Sequence, residues 1–110
     1  MSKNLLDLVN IIRDRKNKEE DKSYTSSLLS GGLSKCIDKM EEEFSELKEA
    51  LNDKSNIVHE TADTIYHILV TLEAANVRFE DVLKELESRK KQSGIKEKNN
   101  RVLKKKTIGY

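Results

Sequence analysis

The chain has 110 residues, 35 % of them hydrophobic and 37 % charged, with no Trp and no Pro. That describes one domain of ordinary size with a thin core of Leu, Ile and Val, a composition that suits an all-helical domain completed by dimerisation. No stretch approaches the ~18 apolar residues of a membrane span, and Met1 to Leu8 lacks the apolar core of a signal peptide.

The net charge of +1 hides an uneven distribution. Residues 37–63 hold nine acids and three Lys, whereas residues 84–110 hold ten Lys or Arg and three Glu. Cys36 is the only cysteine, which excludes an internal disulfide and a Cys-based zinc site and makes the reducing cytoplasm the expected setting. Cys36 is expected to fill a helix interior.

Leu5, Leu8, Val9 and Ile12 recur at helical spacing and predict a helix over 3–16, with Asn4 as its cap and Asp7 three residues on. The charged run Arg13 to Lys22 reads as a solvated helix end and loop, with Arg13 or Arg15 reaching a phosphate as the alternative. Ser23 has the character of an N-cap for a short helix that buries Leu28 and Leu29 and stops at Gly31-Gly32. Hydroxyls at a helix N-terminus can hold phosphate, although capping alone accounts for Ser23.

Residues 33–51 predict the first long helix. Ile37, Met40, Phe44, Leu47 and Leu51 form its apolar stripe, and Lys39, Glu42, Glu43 and Glu46 a polar one. A turn over Asn52 to Asn56 leads to a second long helix over 57–76. Val58, Ala62, Ile65, Leu69 and Leu72 make its apolar face, which Ile57, Ile68 and Val70 widen. The run from Ile65 to Leu72 marks this helix as central. Asn76 is its expected stop. Glu80 and Asp81 begin another helix whose buried side is Val82, Leu83 and Leu86, to about Arg89. Beyond Gly94 the chain is strongly charged, and its basic tail lacks the aromatic spacing of a nucleic-acid arm.

The two long helices carry the chemistry. Glu42 and Glu46 are four apart, Glu43 and Glu46 three apart, and Glu60 and Asp63 three apart, so each set shares a helical face. Packed side by side, these helices would point four or five carboxylates at one spot. Like charges so close repel, and a hard divalent cation, Mg²⁺ or Mn²⁺, would offset them. Solvation explains an acidic face on the first helix; it explains poorly two acids beginning a central helix with His67 a turn later. For His67 itself the plainer reading is a hydrogen-bonded interior or interface histidine. His59 is expected to be exposed. No Walker-type loop, dinucleotide fingerprint or nucleophile motif is present, so phosphate chemistry would fall to metal and carboxylates.

These pieces resemble, in order, the phosphoribosyl-ATP pyrophosphohydrolases of histidine biosynthesis, within the all-α, MazG-like nucleotide pyrophosphohydrolase superfamily. The first helix is similar to Leu8-Val9-Asn10-Ile11-Ile12-Arg13-Asp14-Arg15-Lys16. Ser23-Tyr24-Thr25-Ser26-Ser27-Leu28-Leu29 resembles the family's Ser-Tyr-Thr segment. Lys39-Met40-Glu41-Glu42-Glu43-Phe44-Ser45-Glu46 resembles its Lys-x-Gly-Glu-Glu-x-x-Glu motif, with Glu41 where the family usually has Gly. Glu60-Thr61-Ala62-Asp63-Thr64-Ile65-Tyr66-His67 resembles its Glu-x-x-Asp helix, and Ser93-Gly94-Ile95-Lys96-Glu97-Lys98 with Arg101 its C-terminal signature.

The resemblance implies a dimeric bundle of four to five helices over 1–103, a stand-alone form with no preceding cyclohydrolase domain, and a basic tail over 104–110 without assigned role. It implies hydrolysis of phosphoribosyl-ATP to phosphoribosyl-AMP and pyrophosphate, the second step of histidine biosynthesis, in a homodimer with sites near the subunit contact. The implied Mg²⁺ ligands are Glu42 or Glu43, Glu46, Glu60 and Asp63, with Glu42 or Glu43 as base. Lys39, Lys98 and Arg101 would meet phosphates, Ser23, Tyr24 and Thr25 the ribose or phosphate end, and His67 is grouped with the substrate-binding residues. Two alternatives remain at this point: a housekeeping pyrophosphohydrolase of dUTP, dCTP or aberrant nucleotides, and a non-catalytic helical binding module. Membrane and nucleic-acid partners are not expected.

Overall fold

A computed structural model describes residues 2–16 and 23–90, all of whose regular structure is helical. The helices are α1 (Ser2–Arg15), α2 (Tyr24–Ser30), α3 (Leu33–Asp53), α4 (Ile57–Ala74) and α5 (Phe79–Lys90). The chain divides into two compact units, Met1–Val77 and Arg78–Tyr110. No helix among the described residues is long and apolar enough to cross a membrane.

In the first unit α4 is central and packs against α1, α2 and α3. The core is small, as the composition requires: Val9, Ile12, Leu28, Cys36, Ala50, Leu69 and Val70. Cys36 is buried, as expected, and its thiol donates to the Leu28 carbonyl at 3.3 Å. Burial pushes that thiol's pKa up, which leaves it the protonated donor.

Local signals account for most boundaries. α1 starts at Ser2, so Asn4 is its third residue and not its cap; this corrects the expectation. Ser23 does cap α2: its Oγ accepts from the Ser26 N–H at 3.0 Å and donates to Ser26 Oγ at 2.9 Å. Ser26 Oγ donates in turn to the Arg15 carbonyl at 3.1 Å, fastening α2 to the end of α1. Gly32 then turns the chain into α3 with φ +90°, a conformation that a side chain would strain. α3 runs two residues past its expected end, and Lys54 and Asn56 make the tight turn in left-handed conformation.

At its far end α4 closes as Asn76 predicts. Asn76 is left-handed, φ 61°, and the Val77 N–H reaches back to the Leu72 carbonyl at 2.9 Å. Lys16 secures the same end to α1, donating to the Glu73 carbonyl at 3.1 Å and to Asn76 Oδ1 at 2.6 Å. Arg13 pairs with Glu73 at 3.7 Å, so this part of the charged run ties helices together.

The faces of the long helices correct the sequence reading. Of the apolar stripe on α3, Ile37, Phe44 and Leu51 are exposed, and Met40 and Leu47 are half-buried. On α4, Val58 is 84 % exposed, and Ala62 and Ile65 are also exposed. The strip that α4 turns inward is Thr64, His67 and Thr71, with Leu69 and Val70 beside it. Each of these polar residues bonds the carbonyl four residues back: Thr64 to Glu60, His67 to Asp63 and Thr71 to His67. Their polar atoms are thus satisfied, which removes the usual penalty for burying them.

In the second unit Glu80 and Asp81 occupy the first turn of α5, as expected. Its expected buried side is only partly so: Val82 and Leu83 are half-buried and Leu86 is exposed.

Candidate metal centre

α3 and α4 run antiparallel through the short turn at 54–56, and this brings two acidic steps together. Oxygens of Glu43, Glu46 and Glu60 lie within 4.8 Å of one another. A second set, His59, Glu60 and Asp63, meets the same limit, and Glu60 belongs to both. Every carboxylate is set by helical spacing: Glu43 and Glu46 share a face of α3, and Glu60 and Asp63 a face of α4.

Glu42 does not join either set. Its carboxylate is exposed and pairs with Lys39 at 3.5 Å, three residues back. Both Glu42 and Glu43 satisfy the spacing to Glu46; a rotation of about 100° per residue sends only Glu43 toward α4. His59 is exposed, as expected, but reaches Asp63 Oδ2 at 3.3 Å.

The electrostatics reflect the crowding. Glu43 has its pKa raised from the ordinary 4.5, first by desolvation and then by Glu46, with Asp63 and Glu60 adding to the effect and His67 opposing it. One oxygen of Glu60, Oε1, is buried and has no hydrogen-bond partner among the described residues. A buried carboxylate oxygen without a donor is costly, and a bound cation would satisfy it. The donors are oxygens and one imidazole, which fits a hard divalent ion such as Mg²⁺ or Mn²⁺. An acidic cleft continues from Glu46 and Glu60 past Glu49 and Asp53 to Ser55 and Asn56 at the turn.

On the other side of Glu43 stands an aromatic group. The backbone carbonyl of Asp63 can only accept, so His67 Nδ1 carries the proton it donates at 2.8 Å. Its other ring nitrogen, Nε2, forms a hydrogen bond with the Tyr24 hydroxyl, 3.1 Å away. Tyr66 meets both rings, stacked with Tyr24 at 6.3 Å and edge-on to His67 at 4.9 Å, and bonds Thr25 Oγ1. The Tyr24 pKa is raised by desolvation, lowered by Lys39, and raised by Tyr66, Glu43 and Glu42, which places its ring beside the acids. His67 is 6 % exposed and Tyr24 about half exposed. The interior, hydrogen-bonded reading of His67 therefore describes its place in the fold.

The structure thus brings together Glu43, Glu46, Glu60 and Asp63, with Lys39, Tyr24, Thr25 and His67 nearby. Ser23 is spent on capping. Lys98, Arg101 and the tail over 104–110 lie outside the described residues, as does the charged run 17–22. Three contributors were missed from sequence: His59, which stands four residues before Asp63; Tyr66, the anchor of Thr25; and Thr64, four residues after Glu60.

An all-α chain whose Glu-x-x-Glu and Glu-x-x-Asp steps face each other across a helical hairpin is a helical protein with a carboxylate cluster that could hold a cation. Comparison narrows this class. Residues 5–90 match the family model described as phosphoribosyl-ATP pyrophosphohydrolase, and the chain belongs to that family of enzymes. It is 41 % identical over 99 residues to the phosphoribosyl-ATP pyrophosphatase of Rhizobium etli (strain CIAT 652), covering 88 % of this chain and 92 % of that one. It is 44 % identical over 96 residues to the protein of the same name from Ruegeria pomeroyi, covering 86 % and 91 %. No solved structure matches the chain.

Proposed function

We propose that this chain hydrolyses phosphoribosyl-ATP to phosphoribosyl-AMP and pyrophosphate at the carboxylate cluster between α3 and α4. The observation that carries the reading is the meeting of Glu43, Glu46 and Glu60 within 4.8 Å, with a buried, unpartnered oxygen on Glu60. Family membership and relatives named phosphoribosyl-ATP pyrophosphatase support phosphoribosyl-ATP as the substrate.

Glu43, Glu46, Glu60 and Asp63 would hold Mg²⁺, or Mn²⁺, which when bound neutralises phosphate oxygens and polarises water. Of the Glu42–Glu43 pair, Glu43 is the better placed to take a proton from water, because it faces the cluster while Glu42 pairs with Lys39 outside it. Lys39 offers a cation beside Tyr24 and Glu42 for a substrate phosphate. Tyr24 is pinned at its hydroxyl by His67 and keeps half its surface open, which suits it to border the bound nucleotide. Thr25, held by Tyr66, borders the ribose or phosphate end.

The active unit in this reading is a homodimer. Ile37, Phe44 and Leu51 on α3 and Val58 and Ile65 on α4 are large exposed apolar side chains on the two helices that carry the site. A second copy covering them would bury the apolar stripe that the sequence displays.

The test is pyrophosphate release with Mg²⁺ from phosphoribosyl-ATP, ATP, dUTP and dCTP in parallel. Release from phosphoribosyl-ATP alone is expected. Preference for free nucleotides would move the chain to a housekeeping role, and no release from any of them by folded protein would remove the catalytic reading.

A further inference from the structure

The α3–α4 hairpin is closed by two like hydroxyl bridges. Thr64 Oγ1 lies 2.8 Å from the Glu60 carbonyl of its own helix and 3.3 Å from the Glu43 carbonyl of α3. Thr71 Oγ1 lies 2.7 Å from the His67 carbonyl and 3.3 Å from that of Cys36. Thr64 and Thr71 are seven residues apart on α4, and their targets Glu43 and Cys36 are seven apart on α3, in the opposite chain direction. Both threonines are buried, Thr64 at 3 % exposure. Seven residues are two helical turns, so the two bridges lie along one seam. They belong to a single antiparallel register.

The two bridges differ in what they hold. Thr71 ties Cys36 to His67, two turns away from the acids. Thr64 ties the main chains of Glu43 and Glu60, two residues of the carboxylate cluster on different helices. The cluster depends on that register, because rotating or sliding α3 by one residue would replace Glu43 with Glu42 or Phe44.

We propose that Thr64 is a positioning residue for the metal centre: its shared hydroxyl proton fixes the Glu43 backbone against α4 and so sets the distance between the acids of the two helices. This rests on the proposed metal site. Groups that orient ligands without touching the ion typically change affinity by about 10- to 100-fold.

The experiment is Mn²⁺ binding to full-length protein by electron paramagnetic resonance, with a thermal melt for each variant. Thr64→Val removes the hydroxyl at nearly constant shape and is expected to weaken Mn²⁺ roughly tenfold; its kcat falls at limiting Mg²⁺ and recovers when Mg²⁺ is raised. Thr64→Ser keeps the donor and is expected to bind within about threefold of the original, which also covers the case in which Thr64→Val does not fold. Thr71→Val is expected to melt lower while keeping Mn²⁺ affinity within about threefold, since it breaks the same kind of bridge away from the acids. Unchanged affinity in Thr64→Val, or an equal loss in Thr64→Ser or Thr71→Val, overturns the proposal. Absence of Mn²⁺ binding by the original protein is a different failure: it removes the metal site itself and the proposal with it.

Discussion

Replacing Glu43 with Gln should stabilise the metal-free protein and abolish its response to metal. Two unit charges 4.8 Å apart repel by about 0.9 kcal/mol even in water, and Glu43 faces Glu46 and Glu60 within that distance. Screening trims the two contacts, so removing the charge is expected to return about 1 kcal/mol, or roughly 4–8 °C in melting temperature for a domain of this size. Metal reverses the order. A ligand at 100 times its Kd stabilises by about 2.7 kcal/mol, a gain open to the original protein and lost in Glu43→Gln. Melts with EDTA and with excess Mg²⁺ should therefore cross: the variant melts higher without metal and lower with it. A variant that melts lower in EDTA, or gains as much from Mg²⁺ as the original, would refute the placement of Glu43 in a cation site.

Four further outcomes are expected. Glu42→Gln should retain Mn²⁺ affinity within about threefold, because Glu42 pairs with Lys39 outside the cluster and exposed pairs are worth little; calorimetric titration checks this. A carboxyl whose folded pKa lies above its unfolded one binds its proton more tightly in the fold. The metal-free protein should therefore gain stability as pH falls through the folded pKa of Glu43 toward the ordinary 4.5, while Mn²⁺ affinity drops over the same window; melts and titrations across that range report both. Phe44→Asp and Ile65→Asp should each give a folded monomer in light scattering, since both side chains lie on the exposed apolar faces. Ser23→Ala should cost about 1 kcal/mol in denaturant unfolding through loss of the α2 cap, a larger loss being expected if the Ser26–Arg15 link goes with it.

Much of the fold can be read in particular residues. Ser23, Gly31-Gly32 and Asn76 mark ends that backbone chemistry enforces, and apolar spacing places the five helices of the described residues. The acidic steps are legible because three-residue spacing on a helix needs no tertiary knowledge. Choosing between Glu42 and Glu43 does need it: both satisfy the spacing, and the rotation of α3 against α4 is set by contacts such as that of Thr64 with the Glu43 carbonyl. The apolar faces misled for a related reason. Periodicity shows that Ile37, Phe44, Val58 and Ile65 form a stripe, but not whether the same chain covers it. The strip that is buried, Thr64, His67 and Thr71, looks polar in sequence, and its local bonds to carbonyls one turn back are what make burial tolerable.

The central claim is that the α3–α4 carboxylates cleave phosphoribosyl-ATP with the help of a divalent ion. Its most direct test is pyrophosphate release from phosphoribosyl-ATP at increasing Mg²⁺, for the original protein and for Glu46→Ala and Asp63→Ala. The expected result is saturable, EDTA-sensitive release by the original protein and loss in both folded variants. Release that persists in EDTA, or survives in either variant, would contradict the account.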